Sequence, residues 1–319
     1  MFYRKVYPKA WQLVKSNPII WFFGLFASLL GFYEIQIIFN LSDSFPDFIS
    51  SNIKSWMDIF VTFSTITISW ANLPDVLALL GLFILFSAVT ILAVSSQASL
   101  TYSAGLQGKK YIKETLGEQL KNGVDKFWPV FGLNIINSLI GYFFVSLVLT
   151  PIIYFLSNTN NWPIYIILGL FTFFILIPLV ITISFVTRYG IAYIMLKNQK
   201  FTDAFVNSWL LFKVNWIITI ENAFLLLGLT ILALVAIISS MVFVFVPFLI
   251  MASLIPFLTL MIVIIGLFLV AVVLILGSSI YSAFYNVVWA SIFLELIAPG
   301  KSHSKIHRIA HKHLPILTR

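Results

Sequence analysis

Residues 222–294 read NAFLLLGLTILALVAIISSMVFVFVPFLIMASLIPFLTLMIVIIGLFLVAVVLILGSSIYSAFYNVVWASIFL, with no Asp, Glu, Lys or Arg between Glu221 and Glu295. Soluble domains carry roughly 25% charged residues, so a run of this length cannot face water. It is also too long for one crossing, because a ~30 Å hydrocarbon layer takes about 20 helical residues. The stretch therefore holds two membrane spans joined by a tight hairpin near Pro247 to Pro256.

The same pattern extends outward from this hairpin. The chain is 61% hydrophobic and 9% charged, and six apolar runs reach span length, at 18–39, 75–103, 128–156, 163–187, 217–246 and 257–290. The expected fold is an all-α bundle of six transmembrane helices. Its basic residues set the orientation, since Lys and Arg collect in cytoplasmic loops. Arg4, Lys5, Lys9 and Lys15 precede span 1; Lys109, Lys110, Lys113, Lys121 and Lys126 separate spans 2 and 3; Arg188, Lys197, Lys200 and Lys213 separate spans 4 and 5; Lys301, Lys305, Arg308, Lys312 and Arg319 follow span 6. Of nineteen Lys and Arg, Lys54 alone falls in an outer loop, where Asp43, Asp47, Asp58 and Asp75 outnumber it. Both termini are thus expected in the cytoplasm of a multi-pass cell-membrane protein. The net charge of +8 reads as positive-inside bias rather than a nucleic-acid surface, with anionic lipid headgroups as its partner. A basic segment before an apolar run also describes a signal peptide. Here the run has full span length and no small-x-small site follows, so span 1 is expected to stay. The absence of Cys excludes disulfides, thiol catalysis and Cys-ligated metals.

A repeat precedes spans 1, 3 and 5. Trp11, Leu13, Lys15, Asn17, Ile19 and Ile20 recur as Trp209, Leu211, Lys213, Asn215, Ile217 and Ile218. The middle copy keeps Lys126 and Pro129 of Lys126-Phe-Trp128-Pro129 against Lys15-Ser-Asn17-Pro18. Each Lys can snorkel to headgroups, and Trp21, Trp128 and Trp216 stand where interfacial aromatics belong. An amphipathic helix opens each copy, with i, i+3, i+4 spacing. The faces are Phe2, Tyr3, Val6, Tyr7, Ala10, Leu13 and Val14; then Tyr111, Ile112, Thr115, Leu116, Leu120, Val124 and Phe127; then Phe201, Ala204, Phe205, Ser208, Trp209 and Phe212. Beside a span and rich in Lys, such helices are expected in the inner interface. The organisation is one membrane domain, 1–298, with a threefold hairpin repeat at about 1–104, 109–195 and 200–298, and a basic cytoplasmic tail, 299–319. In the long outer loop, 40–74, Phe45, Phe48, Ile49, Ile53, Trp56, Ile59, Phe60 and Phe63 form a further amphipathic face, read as a helix on outer lipid.

The Trp-x-Leu-x-Lys-x-Asn entry into a span, repeated with amphipathic segments along six spans, resembles a loose group of uncharacterised bacterial six-span proteins. These are similar to the membrane domain attached to some glycerophosphoryl diester phosphodiesterases. That group has no agreed catalytic residues in its membrane part, so the resemblance assigns none to this chain. The soluble barrel and metal-binding acids and histidines of the phosphodiesterase reaction are not among these residues.

Polar residues inside a membrane are expensive and are functional candidates by default. Gln97, Asn134, Asn137, Arg188, Glu221, Asn222 and Asn286 fall at similar depth in the cytoplasmic half of the six-span topology. They admit two readings: a polar vestibule open to the cytoplasm, or a hydrogen-bonded packing layer, which we favour. Glu221 lies about five residues past Trp216, roughly 7–8 Å into the membrane. Arg188 is its natural partner in a structural ion pair; the alternative is a proton or cation site. Ser95, Ser99 and Ser103 form a small-residue ladder on span 2, as do Ser279, Ala283, Asn286 and Ala290 on span 6, so both spans are expected to pack in the interior. The tail carries His303, His307, His311 and His313. With no carboxylate beside them, a lipid-facing or solvated tail is the reading, ahead of a zinc or nickel site.

Walker loops, GxSxG and HExxH are absent, and all four His lie in the tail. No cofactor, metal site or catalytic set is expected, and no nucleic-acid partner. The leading expectation is a non-enzymatic envelope or lipid-interacting scaffold, touching headgroups through Lys15, Lys126, Lys213, Trp11, Trp128 and Trp209. A transporter or lipid-moving protein using the vestibule is the alternative, and a membrane-embedded lipid enzyme comes last.

Overall fold

A computed structural model describes the backbone of residues 3–40, 73–106, 115–158 and 177–298, with Ile167 and Phe174. Among these residues the protein is all-α. The elements are α1 (Tyr3–Ser16), α2 (Ile19–Asn40), α3 (Leu73–Gly105), α4 (Leu116–Asp125), α5 (Phe127–Asn158), α6 (Ile177–Lys197), α7 (Phe201–Leu254) and α8 (Thr259–Leu296). Four helices are long and apolar enough to cross a membrane: within α3, α6, α7 and α8. The bent pair of α1 and the start of α2 makes a fifth if taken as one span. α5 is a 32-residue apolar helix. The chain is therefore a multi-pass helical membrane protein. The outer-loop helix expected over 40–74, most of span 4 before Ile177, and the His-containing tail lie outside the described residues.

The hairpin that decides the fold is α7 and α8, turning at Ile255–Leu258 through a short 3-10 segment begun by Pro256. Pro247, expected in the turn, lies inside α7 instead. The two helices pack closely through glycines: Gly266 accommodates Phe248, and Gly277 accommodates Ile237. Outward-facing side chains there are apolar, culminating in Phe257 at 94% exposure with Leu254 and Leu260 beside it. A soluble protein does not expose a patch of this kind; hydrocarbon must cover it.

The chain forms two compact units. The first, residues 1–29, 93–133 and 185–319, contains the core. There α1 buries Val6, Ala10, Leu13 and Val14 in one apolar cluster with Phe23, Tyr189, Val287 and Phe293. The amphipathic face expected on α1 is correct, but helices cover it rather than lipid. Small residues set the closest contacts. A Cβ on Gly24 of α2 would collide with the Ser279 carbonyl and Ala283 of α8, and the Ser279 hydroxyl donates to Trp21 O. A Cβ on Gly123 of α4 would collide with Ser95 and Ser99 of α3. Both small-residue faces are thus buried contact surfaces. The second unit, 30–92 and 134–184, holds parts of α2, α3, α5 and α6; its α3 portion exposes Leu82 through Phe86.

α4 opens on a reciprocal cap. Glu118 N–H donates to Thr115 Oγ1 at 3.4 Å, and Thr115 N–H donates to Glu118 Oε2 at 2.8 Å, satisfying two otherwise orphaned donors. Thr115 is therefore a cap and not part of an apolar face. The residues α4 buries are Gln119 and Gly123, while Leu116 and Val124, expected on the face toward lipid, are exposed. Close approach to α3 selects a glycine, not the most apolar stripe.

Candidate functional site

The structure sorts the seven polar candidates into separate places. Gln97 on α3, Arg188 on α6 and Asn286 on α8 line one recess, together with Thr101, Ile191, Trp289 and Ala290. Glu221 and Asn222 lie on α7 beside α1. Asn134 and Asn137 belong to the second unit, and both are half-buried.

The α7 cluster is closed by α1. Tyr3 Oη donates to Ile218 O at 3.1 Å, and Tyr7 Oη donates to Asn222 Oδ1 at 2.8 Å. Two donors four residues apart meet two acceptors four residues apart, so α1 and α7 run in the same direction over this turn. Burial and then the neighbouring Glu221 carboxylate push the Tyr3 phenol far above its ordinary range. Burial does the same for Tyr7, helped by Tyr281, Tyr285 and Glu221. Both hydroxyls therefore keep their protons and act as donors. Behind them, Tyr189 and Thr219 exchange a hydrogen bond of 2.8 Å, and Thr219 donates to Asn215 O at 2.9 Å. Glu221 Oε2 and Asn222 Nδ2 are buried without a hydrogen-bond partner.

The Arg188 guanidinium carbon lies 4.7 Å from the Tyr285 ring centroid and 5.5 Å from that of Trp289. The cation rests against aromatic faces. The recess beside Arg188 measures ≈ 10 Å³, room for about one water-sized sphere. Thr101 Oγ1 donates to Gln97 O at 3.0 Å, and Asn286 Nδ2 to Ser282 O at 2.9 Å.

At the span entrances Lys15 and Lys213 are exposed. Lys126 is half-buried and donates to Asn198 Oδ1, in a loop where Asn198 takes φ 52° to end α6. The three tryptophans placed at the interface stand out from the protein: Trp11 is 49% exposed, Trp128 76% and Trp209 45%. Trp21 does not; its Nε1 donates to Val14 O at 2.8 Å and closes the turn between α1 and α2. Among the described residues no group of three or more His, Cys, Asp or Glu converges on a point that could hold a metal.

Tyr3, Tyr7 and Trp289 were not singled out as polar groups by sequence. The tyrosines had the right spacing, but their hydroxyls were hidden in an apolar face. Trp289 sits in an uninterrupted apolar run and gave no signal. Comparison with protein-family models, curated proteins and solved structures finds no match to this chain.

Proposed function

We propose that this chain is a six-span, non-enzymatic cell-membrane protein with cytoplasmic termini that holds anionic lipid at its inner surface. Its spans are organised as three hairpin repeats, akin to the membrane domain of glycerophosphoryl diester phosphodiesterases. The observation that carries the lipid reading is the exposure of Trp11, Trp128 and Trp209 at span entrances. Trp11 with Lys15, and Trp209 with Lys213, are exposed pairs at i, i+4 and so share a helix face. An indole and an ammonium on one face suit the boundary between acyl chains and headgroups. Helix breaks at the entrance of each copy support the repeat: at Asn17-Pro18, at Asn215 and, two residues earlier in the motif, at Lys126.

The test is thermal stability of the purified chain in nanodiscs of phosphatidylglycerol against phosphatidylcholine. Phosphatidylglycerol should raise Tm, more so at low salt. Lys15→Gln with Lys213→Gln should remove at least half of that increment. Equal Tm in both lipids would contradict the reading.

A transport reading keeps one specific support, the unpartnered Glu221 Oε2 and Asn222 Nδ2 beneath α1. Under it, Glu221→Gln abolishes a flux while leaving the lipid effect intact.

A further inference from the structure

We propose that the recess between α3, α6 and α8 seats one phosphoryl oxygen of a membrane phospholipid, with the Trp289 indole N–H and the Arg188 guanidinium as donors. This deepens the lipid-holding reading above and rests on it.

Three observations meet here. The first is an orphan donor. Trp289 lines the recess at 4% exposure, yet its Nε1 has no hydrogen-bond partner. Buried indole N–H groups normally find an acceptor, so a residue of the recess wall carries one donor without its acceptor. The second is charge. No carboxylate lines the recess, and Arg188 does; its guanidinium lies over the Trp289 ring. The fork of N–H donors on Arg matches phosphate oxygens, and a cation is disfavoured in the same place. Gln97 brings an amide to the rim.

The third is size and depth. A volume of ≈ 10 Å³ takes a single oxygen, about the size of one water. A whole free phosphate ion cannot enter, whereas a lipid phosphate can insert one oxygen and keep its remaining bulk in the headgroup layer. α8 has 38 residues, so it is about 57 Å long, some 27 Å more than the hydrocarbon thickness. The apolar tip at Phe257 and Leu260 stays in hydrocarbon, so that excess falls at the other end of α8 and carries Asn286, about ten residues before Leu296, past the hydrocarbon to the headgroup side, where lipid phosphates lie. Arg188 and Gln97 lie about nine and eight residues before the ends of their own helices, so all three helices present the recess at one level.

The test uses the full chain, ¹⁵N-indole-labelled, in non-phosphate detergent, and follows the Trp289 N–H resonance among the nine indole signals. That signal is assigned by its loss in Trp289→Phe or, should that variant not fold, by eliminating the other eight one at a time. The probes are a short-chain phosphatidylglycerol, a monoacylglycerol of equal chain length, and inorganic phosphate. Phosphatidylglycerol should move the signal downfield and saturate at one lipid per chain, and Arg188→Gln should weaken that binding at least tenfold. Monoacylglycerol and inorganic phosphate should leave the signal in place. No shift with phosphatidylglycerol would overturn the proposal. An equal shift with monoacylglycerol would remove the phosphoryl oxygen, and saturation by inorganic phosphate would remove the lipid. If anionic lipid raises Tm but the indole stays silent, this inference alone fails. If the indole responds while lipid charge has no effect on Tm, the span-entrance reading alone fails.

Discussion

The first and third copies of the Trp-x-Leu-x-Lys-x-Asn motif begin alike and end differently. After Asn17 the chain breaks, and α1 meets the start of α2 at 110°. At Asn215 the backbone leaves helical geometry for one residue (φ −119°, ψ 26°), yet α7 continues through it for 54 residues in all. The next residue makes the difference. Pro18 has no N–H, and its ring bars the preceding residue from the α region. The new helix is then capped by Asn17, whose Oδ1 accepts from Ile19 N–H at 3.2 Å. Trp216 can donate and imposes no such clash, so the same asparagine produces only a kink, with its Nδ2 donating back to Leu211 O at 3.1 Å. One proline converts a helical extension into a helix that folds back and covers Glu221.

The largest effect is expected from removing that proline. Pro18→Ala should let α1 continue into α2 and leave the Val6, Leu13 and Val14 sites. Burying each such side chain is worth about 1.5–3 kcal/mol, so a loss of roughly 3 kcal/mol or more in denaturant-monitored stability is predicted. A spin-label distance between Lys9→Cys and Lys197→Cys should lengthen with it. An unchanged distance would show that packing, not Pro18, sets the bend.

The reciprocal change is smaller. Trp216→Pro should deepen the α7 kink at a cost below the ~3 kcal/mol of an interior helical proline, because Asn215 has already left the helix. A full-sized loss in the same unfolding assay would mean that the kink is not preformed.

Much of this was legible beforehand. The apolar runs, the set of residues sharing the apolar face of α1 and the small-residue ladders followed from spacing, whereas what covers that face, helices and not lipid, did not. Periodicity was silent on how α4 meets α3. It ranks residues by apolarity, whereas contact with Ser95 and Ser99 rewards a missing side chain, and so Gly123 lies there. It was silent again for the polar layer. The Tyr7–Asn222 bond joins residues 215 apart, and no local pattern announces it. Arg188 was matched with Glu221 by charge alone, and no spacing announces the faces of Tyr285 and Trp289 that it also meets.

The α1 lid can be dissected further. Tyr7→Phe leaves Asn222 Oδ1 buried without its donor, for an expected loss of about 1–2 kcal/mol. Tyr3→Phe should cost more, since its hydroxyl also meets the buried Glu221 carboxylate and bonds to charged groups are stronger. A double-mutant cycle checks both, and equal losses would overturn the ranking. The smallest effect is one of pH. Both phenols have folded values above their ordinary 10.0. Their contribution is therefore intact below pH about 10 and is lost as pH rises beyond it, when the unfolded phenols ionise first. The Lys9–Lys197 distance should hold from pH 6 to 9 and broaden only above 10.

The most direct test of the whole account exploits the missing cysteines. Single cysteines at Lys15, Lys126, Lys213, Gln97 and Glu221 would be labelled with an impermeant thiol reagent in intact cells and in inverted vesicles. The three lysine sites should label from the cytoplasmic face only, and Gln97 and Glu221 from neither. Lysine sites labelled from opposite faces would contradict the six-span repeat. Rapid labelling of Gln97 or Glu221 would replace the closed polar layer with an open vestibule.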